Sequence, residues 1–322
     1  MVRFGYTLMT EQSGPRELVR YAQAAEEAGF DFEVSSDHYS PWLTTQGHSP
    51  YAWTVLGAVA QATSRVELMT YVTCPTMRYH PAVVAQKSAT MQLLSEGRFV
   101  LGLGSGESLN EHVVGEGWPG VGTRQSMLEE AVEIIRELHS GELVTFDGEY
   151  FRVDSARVWD APEDGVPIGI AVSGGDSIER FAPLADHMIA VTPEKDLVAG
   201  WDAAHPGPSR KIGQVPISWD PDLETAVERA HDQFRWFGGG WQVNADLPTP
   251  AGFAAASQFV RTDDVAEAIA CGPDLDELAE SVRPFIDAGF TDIAVVQIGD
   301  EQQERFVTEV AEPLLERLRA LA

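Results

Sequence analysis

The feature that most constrains the fold is a regular alternation of short apolar runs with longer amphipathic segments along the 322 residues. Runs of this length predict buried β-strands, and apolar residues at helical spacing between them predict helices. The run at 98–104 does not alternate polar and apolar residues, which indicates a strand covered on both faces. About eight such strands separated by helices predict an α/β protein, a parallel (β/α)8 TIM barrel, for which this length is usual. The expected strands are 3–8, 32–36, 66–72, 98–104, 166–172, 188–191, 211–219 and 292–298.

The same pattern places the helices and two insertions within one domain spanning residues 1–322. Residues 142–153 alternate with period two around Asp147-Gly148, which predicts a hairpin outside the barrel. Residues 238–259 are punctuated by Gly and Pro, which predicts an irregular lid or insertion. The expected helices are 15–28, 51–63, 81–94, 127–139, 222–237, 275–288 and 304–321.

The charge of the chain excludes several classes of partner. Its 50 acidic residues outnumber its 22 basic ones and give a net charge of −28. Nucleic acids and anionic membranes attract basic surfaces, so we expect neither as a partner. Only Lys87, Lys195 and Lys211 are lysines, and an acid excess with so little lysine predicts adaptation to high salt.

The location expected from the sequence is the cytoplasm. No run of eighteen apolar residues is present, and the first residues lack the pattern of a signal peptide. Cys74 and Cys271 are isolated from each other, which gives neither a zinc pattern nor a disulfide framework. We expect two free thiols in a reducing compartment and no metal site.

Polar segments follow successive predicted strands, at the end of a parallel barrel where active sites form. Their sequences are SSDHYSPW (35–42), TYVTCPTMRYHP (70–81), GSGESLNE (104–111) and SGGDS (173–177). We expect them to converge on one mouth of the barrel.

Each candidate residue in these segments has a chemical and a structural interpretation. His38 could accept a hydroxyl proton with Asp37 holding the imidazole, or it could be a satisfied loop histidine. Trp42 could line a substrate or belong to the core. Glu107 follows a buried strand, where a charge is costly unless it is used or paired. SGGDS could bind a phosphate at a helix N-terminus or be an ordinary turn.

The segments SDHYSPW, TCPTMRYHPAVVAQKSATM, FVLGLGSGESLNE and FDGEYFRV resemble the luciferase-like superfamily. More narrowly, they are similar to the F420-dependent glucose-6-phosphate dehydrogenases and secondary alcohol dehydrogenases. The likeness runs nearly end to end and is strongest over residues 30–153. It implies hydride transfer between a hydroxyl-bearing carbon and C5 of the deazaflavin coenzyme F420, and it implies a homodimer.

The resemblance also implies roles for individual residues. His38 would be the base, Trp42 would line the substrate and stabilise developing charge, and Glu107 would supply the acid. A non-prolyl cis peptide between Tyr71 and Val72 would back the ring. The expected cofactor contacts are Asp37, Tyr71, Val72, Thr73, Cys74, Asn110, Ser173, Gly174 and Gly175.

One departure from the sugar-phosphate enzymes bears on the substrate. By the resemblance, three basic groups would hold a substrate phosphate. Here Ala255 and Ala268 stand roughly at two of the positions, and Lys195 lies near the third. Because phosphate recognition relies on charge-assisted hydrogen bonds, we expect a neutral alcohol, ketone or unphosphorylated sugar.

Other functions stay open at the level of sequence. Glucose 6-phosphate dehydrogenation is the nearest alternative, and an FMN-dependent luciferase-like monooxygenase shares the barrel. A non-catalytic cofactor-binding barrel would lack turnover. A barrel hydrolase or aldolase would need a metal cluster or a Schiff-base lysine, and only Lys195 lies near a predicted strand end.

Overall fold

The computed structural model describes residues 2–322 and contains a closed parallel barrel. Eight strands pair in the order β9-β11-β1-β2-β3-β4-β7-β8, and β8 pairs back with β9. Strands β5 and β6 form an antiparallel hairpin, and β10 is a short edge strand on β9. The predicted (β/α)8 barrel is therefore confirmed. The strands are β1 (Arg3–Leu8), β2 (Phe32–Ser35), β3 (Glu67–Thr70), β4 (Phe99–Leu103), β5 (Val144–Asp147), β6 (Arg152–Ala156), β7 (Ile168–Ala171), β8 (His187–Ile189), β9 (Lys211–Ser218), β10 (Ala270–Cys271) and β11 (Asp292–Gln297).

Helices follow the barrel strands and cover the outside of the barrel. The first begins with a proline in its first turn and ends at Gly29, whose φ of 101° suits glycine. The helices are α1 (Pro15–Ala28), α2 (Ala52–Ala62), α3 (Pro81–Leu94), α4 (Ser108–Glu111), α5 (Val121–His139), α6 (Gly175–Phe181), α7 (Lys195–Ala204), α8 (Leu223–Phe234), α9 (Trp241–Asn244), α10 (Pro250–Ala256), α11 (Thr262–Ala268), α12 (Leu275–Glu280), α13 (Arg283–Ala288), α14 (Asp300–Arg305) and α15 (Ala311–Leu321). A π-helical turn at Phe306–Val310 joins the last two.

Several element boundaries differ from the prediction, most clearly at three places. The helix expected over 275–288 is broken into α12 and α13, because Pro284 has no amide hydrogen to continue the helical bonding. The helix expected from residue 127 begins at Val121. The segment expected to be irregular, 238–259, contains the short helices α9 and α10.

The hairpin insertion is confirmed, although its turn is longer than Asp147-Gly148 alone suggested. Asp147 pairs with Arg152 in the ladder and through a 2.7 Å ion pair. The loop between them is held by α5, because Glu130 accepts hydrogen bonds from the amides of Tyr150 and Phe151. A carboxylate on a neighbouring helix therefore stabilises the turn.

The core has three parts. Large side chains such as Phe32, Met69 and Ile212 fill the barrel interior, and a larger cluster lies between the strands and the helices. A third cluster, which includes Leu109 and Phe253, lies at the C-terminal end of the barrel, where segment 238–259 packs against it. That segment therefore covers the mouth of the barrel. Within residues 2–322, no helix has the length and apolar character needed to span a bilayer.

Candidate active site

A buried histidine–glutamate pair lies at the ends of the adjacent strands β1 and β2. Nδ1 of His38 contacts the carboxylate of Glu11, and its Nε2 lies 3.5 Å from Oε1 of Glu107. Ser36 donates a 2.7 Å hydrogen bond to Glu11. A carboxylate at Nδ1 favours the tautomer that carries its proton there, so Nε2 is left as the basic nitrogen.

The environment of this pair shifts both pKa values. Burial by itself lowers the pKa of His38, but the adjacent Glu11 and the nearby Glu107 outweigh it and raise the pKa above 6.5. Burial by itself raises the pKa of Glu11. The contact with the His38 imidazole and the hydrogen bond from Ser36 together lower it by a larger amount, so the pKa lies below 4.5. The imidazole is therefore a stronger base than an ordinary histidine side chain.

An aromatic wall borders the imidazole. The ring of Trp42 meets that of His38 edge-on at 4.8 Å between centroids. Trp236 stacks on the other side of Trp42 at 4.2 Å, and Phe253 meets it edge-on at 5.1 Å. Trp236 lies just before segment 238–259 and Phe253 lies within it, so the wall joins the β2 loop to the covering segment.

Glu107 is oriented by its neighbour in the loop after β4. The side-chain amide of Asn110 donates to Oε1 of Glu107. Its carbonyl accepts hydrogen bonds of 2.7 and 3.0 Å from the amides of Tyr39 and Ser40. Asn110 therefore links the β4 loop to the β2 loop and fixes the carboxylate beside His38.

Asp37 is buried, with only 2 % of its surface exposed, and both of its carboxylate oxygens accept hydrogen bonds. Oδ2 accepts from Trp53 Nε1 at 3.0 Å and from Thr73 Oγ1 at 2.7 Å. Oδ1 accepts from Tyr79 Oη at 3.1 Å and lies 3.2 Å from the Arg78 guanidinium. The carboxylate therefore ties the β2 loop to the loop after β3, and its predicted cofactor contact stays a prediction.

Arg78 extends this network to the β4 loop. Its backbone amide donates to Glu111 at 2.9 Å, and its Nε lies 3.4 Å from the same carboxylate. Burial raises the pKa of Glu111 to about 7, although Arg78 opposes the shift. Glu111 is therefore a second group near the mouth that can exchange a proton near neutral pH.

The segment after β3 is held against the β4 loop. The Tyr71–Val72 peptide is cis, as the resemblance implied. A Cβ at Gly104 would lie 2.6 Å from Cγ2 of Val72, and one at Gly106 would lie 2.6 Å from Sγ of Cys74. Glycine is therefore needed at both positions for this close packing. Burial raises the pKa of Cys74 well above its usual value, and both cysteines are free thiols.

The remaining predicted residues follow β7 and β8. The amides of Ser173 and Gly174 donate to Ser177 Oγ at 3.1 and 3.2 Å, while a Cβ at Gly174 or Gly175 would meet open space. Lys195 is exposed at the start of α7. Within residues 2–322 it makes no ion pair, and the structure does not join it to the His38 cluster.

Sequence reasoning missed Glu11, Arg78 and Trp236. Glu11 follows the first barrel strand directly, so the rule that singled out Glu107 also applied to it. Arg78 lies within the quoted segment 70–81 but carried no signal of its own. Trp236 lies at a predicted helix end far along the chain, and nothing local indicates that it stacks on Trp42.

The chain is similar to known proteins over its whole length. A family model described as luciferase-like monooxygenase matches residues 1–292. An F420-dependent glucose-6-phosphate dehydrogenase of Amycolatopsis mediterranei (strain U-32) is 36% identical over the full length of both chains. One of Nakamurella multipartita is 38% identical over 99% of this chain and 97% of its own.

Solved structures agree. An F420-dependent secondary alcohol dehydrogenase in complex with an F420–acetone adduct has a TM-score of 0.90 and 29% identity, and 99% of each chain is covered. A coenzyme F420-dependent tetrahydromethanopterin reductase from Methanopyrus kandleri, at TM-score 0.76 and 21% identity over 98% of this chain and 99% of its own, shares the fold. The chain belongs to the luciferase-like monooxygenase family.

Proposed function

We propose that this protein is an F420-dependent dehydrogenase that transfers hydride between the hydroxyl-bearing carbon of a small alcohol or sugar and the deazaflavin. The observation that carries the proposal is the Glu11–His38 pair, whose free Nε2 faces Glu107 beside an aromatic wall. Two relatives of 36% and 38% identity carry F420-dependent dehydrogenase names, which supports the same chemistry.

The residues present fit a long planar ligand with a phosphate-bearing tail. Gly104 and Gly106 pack closely against the segment Tyr71–Cys74, within which Tyr71 and Val72 stay partly exposed. The turn at Gly174 and Gly175 is open, and the first turn of a helix offers amides without intrahelical partners. The former segment would lie along the ring and the latter would hold the phosphate.

Each residue of the site has a definite task in this chemistry. The bound deazaflavin supplies the hydride acceptor and donor at C5. Nε2 of His38 takes the hydroxyl proton during oxidation, and Glu11 stabilises the imidazolium that forms. Asn110 holds Glu107 in place, and Glu107 supplies or holds a proton on the side of the site that faces Nε2 of His38. Trp42 shields the reacting atoms from water.

The walls of the site favour a neutral substrate. Trp42, Trp236 and Phe253 present aromatic carbon rather than charge. Alanine stands at positions 255 and 268, and Lys195 makes no contact with the cluster. A phosphate dianion needs charge-assisted donors, so we infer an alcohol, ketone or unphosphorylated sugar. Glucose 6-phosphate is the second candidate, because the relatives carry that substrate in their names.

We also propose that the protein works as a cytoplasmic homodimer. Aromatic side chains are enriched in subunit interfaces, and Phe259 and Trp159 are 86% and 80% exposed. Two unpaired thiols suit a reducing compartment. Light scattering after gel filtration would measure the mass, and a monomer at micromolar concentration would contradict the dimer.

The decisive experiment compares cofactors and then substrates. Fluorescence titration would measure the affinities for F420 and FMN, and F420 absorbance would follow turnover with alcohols, sugars and glucose 6-phosphate at high and low salt. We expect tight F420 binding and turnover of neutral alcohols. Preference for FMN with oxygen consumption would identify a monooxygenase, whereas F420 binding without turnover across the panel would identify a carrier.

The variant His38→Ala tests the base assignment within that experiment. Loss of a general base reduces turnover by roughly 10²- to 10⁴-fold, and we expect this loss with F420 affinity retained. Wild-type turnover in His38→Ala would show that another group accepts the proton.

A further inference from the structure

Lys87 on α3 lies in an aromatic cage beneath the candidate site. Its Nζ lies 3.4 Å from the ring centroid of Tyr79, 4.8 Å from that of Trp53 and 5.0 Å from that of Tyr51. The ammonium is buried and has no hydrogen-bond partner among the described residues. Its environment therefore consists of ring faces, which attract a cation through their quadrupoles.

Two of the three rings in the cage are the ones that hold Asp37. Tyr79 Oη donates to Oδ1 of Asp37 at 3.1 Å, and Trp53 Nε1 donates to Oδ2 at 3.0 Å. The Asp37 carboxylate also accepts a hydrogen bond from Thr73 in the loop after β3. Asp37 directly precedes His38 in the chain. A contact that fixes the two rings therefore also fixes the loop that carries the histidine.

Packing alone does not explain a lysine at this position. Burying an ammonium without hydrogen bonds is costly, and an apolar side chain of the same length would fill the space without that cost. The chain has only three lysines among its 322 residues. A buried cation here is explained if its charge acts on the rings and on the carboxylate behind them.

We propose that Lys87 is a positioning residue of the active site: its ammonium orients Tyr79 and Trp53 so that they hold Asp37 and, through it, the His38 loop. The inference rests on the proposed function, because it assigns His38 to the reaction. Lys87 itself touches no reacting atom.

Several charged and titratable groups surround the cage. The acids are Asp37 and, beyond it, Glu111, and Arg78 is the neighbouring cation. Burial raises the pKa values of the Tyr51 and Tyr79 hydroxyls, so both stay protonated near neutral pH. Burial lowers the pKa of Lys87 to about 8, although Asp37 opposes the shift. The ammonium is therefore present at neutral pH and lost as the pH rises through about 8.

The test uses the small number of lysines. Lysine labelled with ¹³C at Cε gives one signal for each of Lys87, Lys195 and Lys211, and Lys87→Met assigns the first. We expect that signal to be shifted upfield by the Tyr79 ring and to titrate near pH 8. Because this measurement needs no turnover, it stands even if the substrate proposal fails.

Kinetics then separate positioning from simple packing. Lys87→Met removes the charge and keeps the length, and we expect kcat/KM to fall about tenfold, as for loss of one desolvated cation–π contact. The decline of wild-type kcat/KM above about pH 8 should be absent in this variant. Lys211→Met is the matched control. Lys211 lies at the start of β9, at the opposite end of the barrel from the site, and its ammonium pairs with Asp202.

Two results would overturn the proposal. A Lys87 signal with an ordinary lysine titration and no ring shift would mean that the ammonium does not lie in the cage. A variant Lys87→Met with wild-type kcat/KM and an unchanged pH profile would reduce Lys87 to a packing residue, and F420 affinity with circular dichroism would show that the variant is folded.

Discussion

The carboxylate of Glu11 lies against Nδ1 of His38 and leaves Nε2 of the same ring facing Glu107 at 3.5 Å. The two residues follow adjacent parallel strands, β1 and β2, whose carboxyl ends meet at the same edge of the barrel. Glu11 therefore sets both the tautomer and the pKa of the proposed base from a different loop.

The first prediction concerns Glu11→Gln. The substitution removes the carboxylate that raises the pKa of His38, so the pKa should fall and the acid limb of kcat/KM for alcohol oxidation should move to lower pH. Turnover on the plateau should drop roughly 10²-fold, because the glutamine amide no longer stabilises the imidazolium. The measurement is the pH–rate profile, and an unmoved acid limb would mean that Glu11 does not control His38.

The second prediction concerns the aromatic wall. Trp236→Ala removes the ring stacked on Trp42 at 4.2 Å, and we expect KM to rise about tenfold from lost stacking and packing. The pH–rate profile should stay unchanged, since no titrating group is touched. Trp241→Ala is the matched control, because Trp241 lies close by in the chain, within the covering segment 238–259, but is 45% exposed. Equal effects of the two substitutions would argue against a specific role for the stack.

The third prediction concerns stability. Glu33 on β2 is fully buried with no partner on either carboxylate oxygen among the described residues, and burial raises its pKa well above 4.5. The folded state therefore binds a proton more tightly than the unfolded state, and the penalty for Glu33 grows as the pH rises above 4.5.

Glu33→Gln should remove this pH-dependent penalty. Relative to the wild type, the variant should gain about 1.4 kcal/mol in unfolding free energy per pH unit above 4.5, up to the folded-state pKa. Denaturant unfolding at several pH values measures the difference. A pH-independent difference would show that Glu33 ionises normally in the folded protein, and turnover serves as the control because Glu33 lies away from the site.

The fourth prediction concerns salt. Fifty acidic against 22 basic residues give strong self-repulsion, which salt screens. We expect the melting temperature to rise by several degrees between about 0.1 and 2 M KCl, over which the screening length falls from about 10 Å to under 3 Å. Calorimetry at neutral pH measures this. A flat or falling melting temperature would contradict the prediction of a high-salt environment.

The sequence by itself determined the fold and which polar segments meet at the mouth of the barrel. Hydrophobic periodicity is a local property, so eight barrel strands, the hairpin at Asp147 and the proline start of α1 could be predicted from short windows. The polar segments containing His38 and Glu107 were placed correctly because parallel strands bring their carboxyl ends to one edge. The break before Pro284 was missed, although its cause is also local.

Only the tertiary structure decided which side chains meet. The contact of Glu11 with His38, the stack of Trp236 on Trp42 and the cage around Lys87 each join residues from separate elements. Such contacts depend on barrel closure, loop paths and rotamers, which no short window of sequence contains. The type of chemistry was therefore readable along the chain, whereas the partners that tune it were fixed by folding.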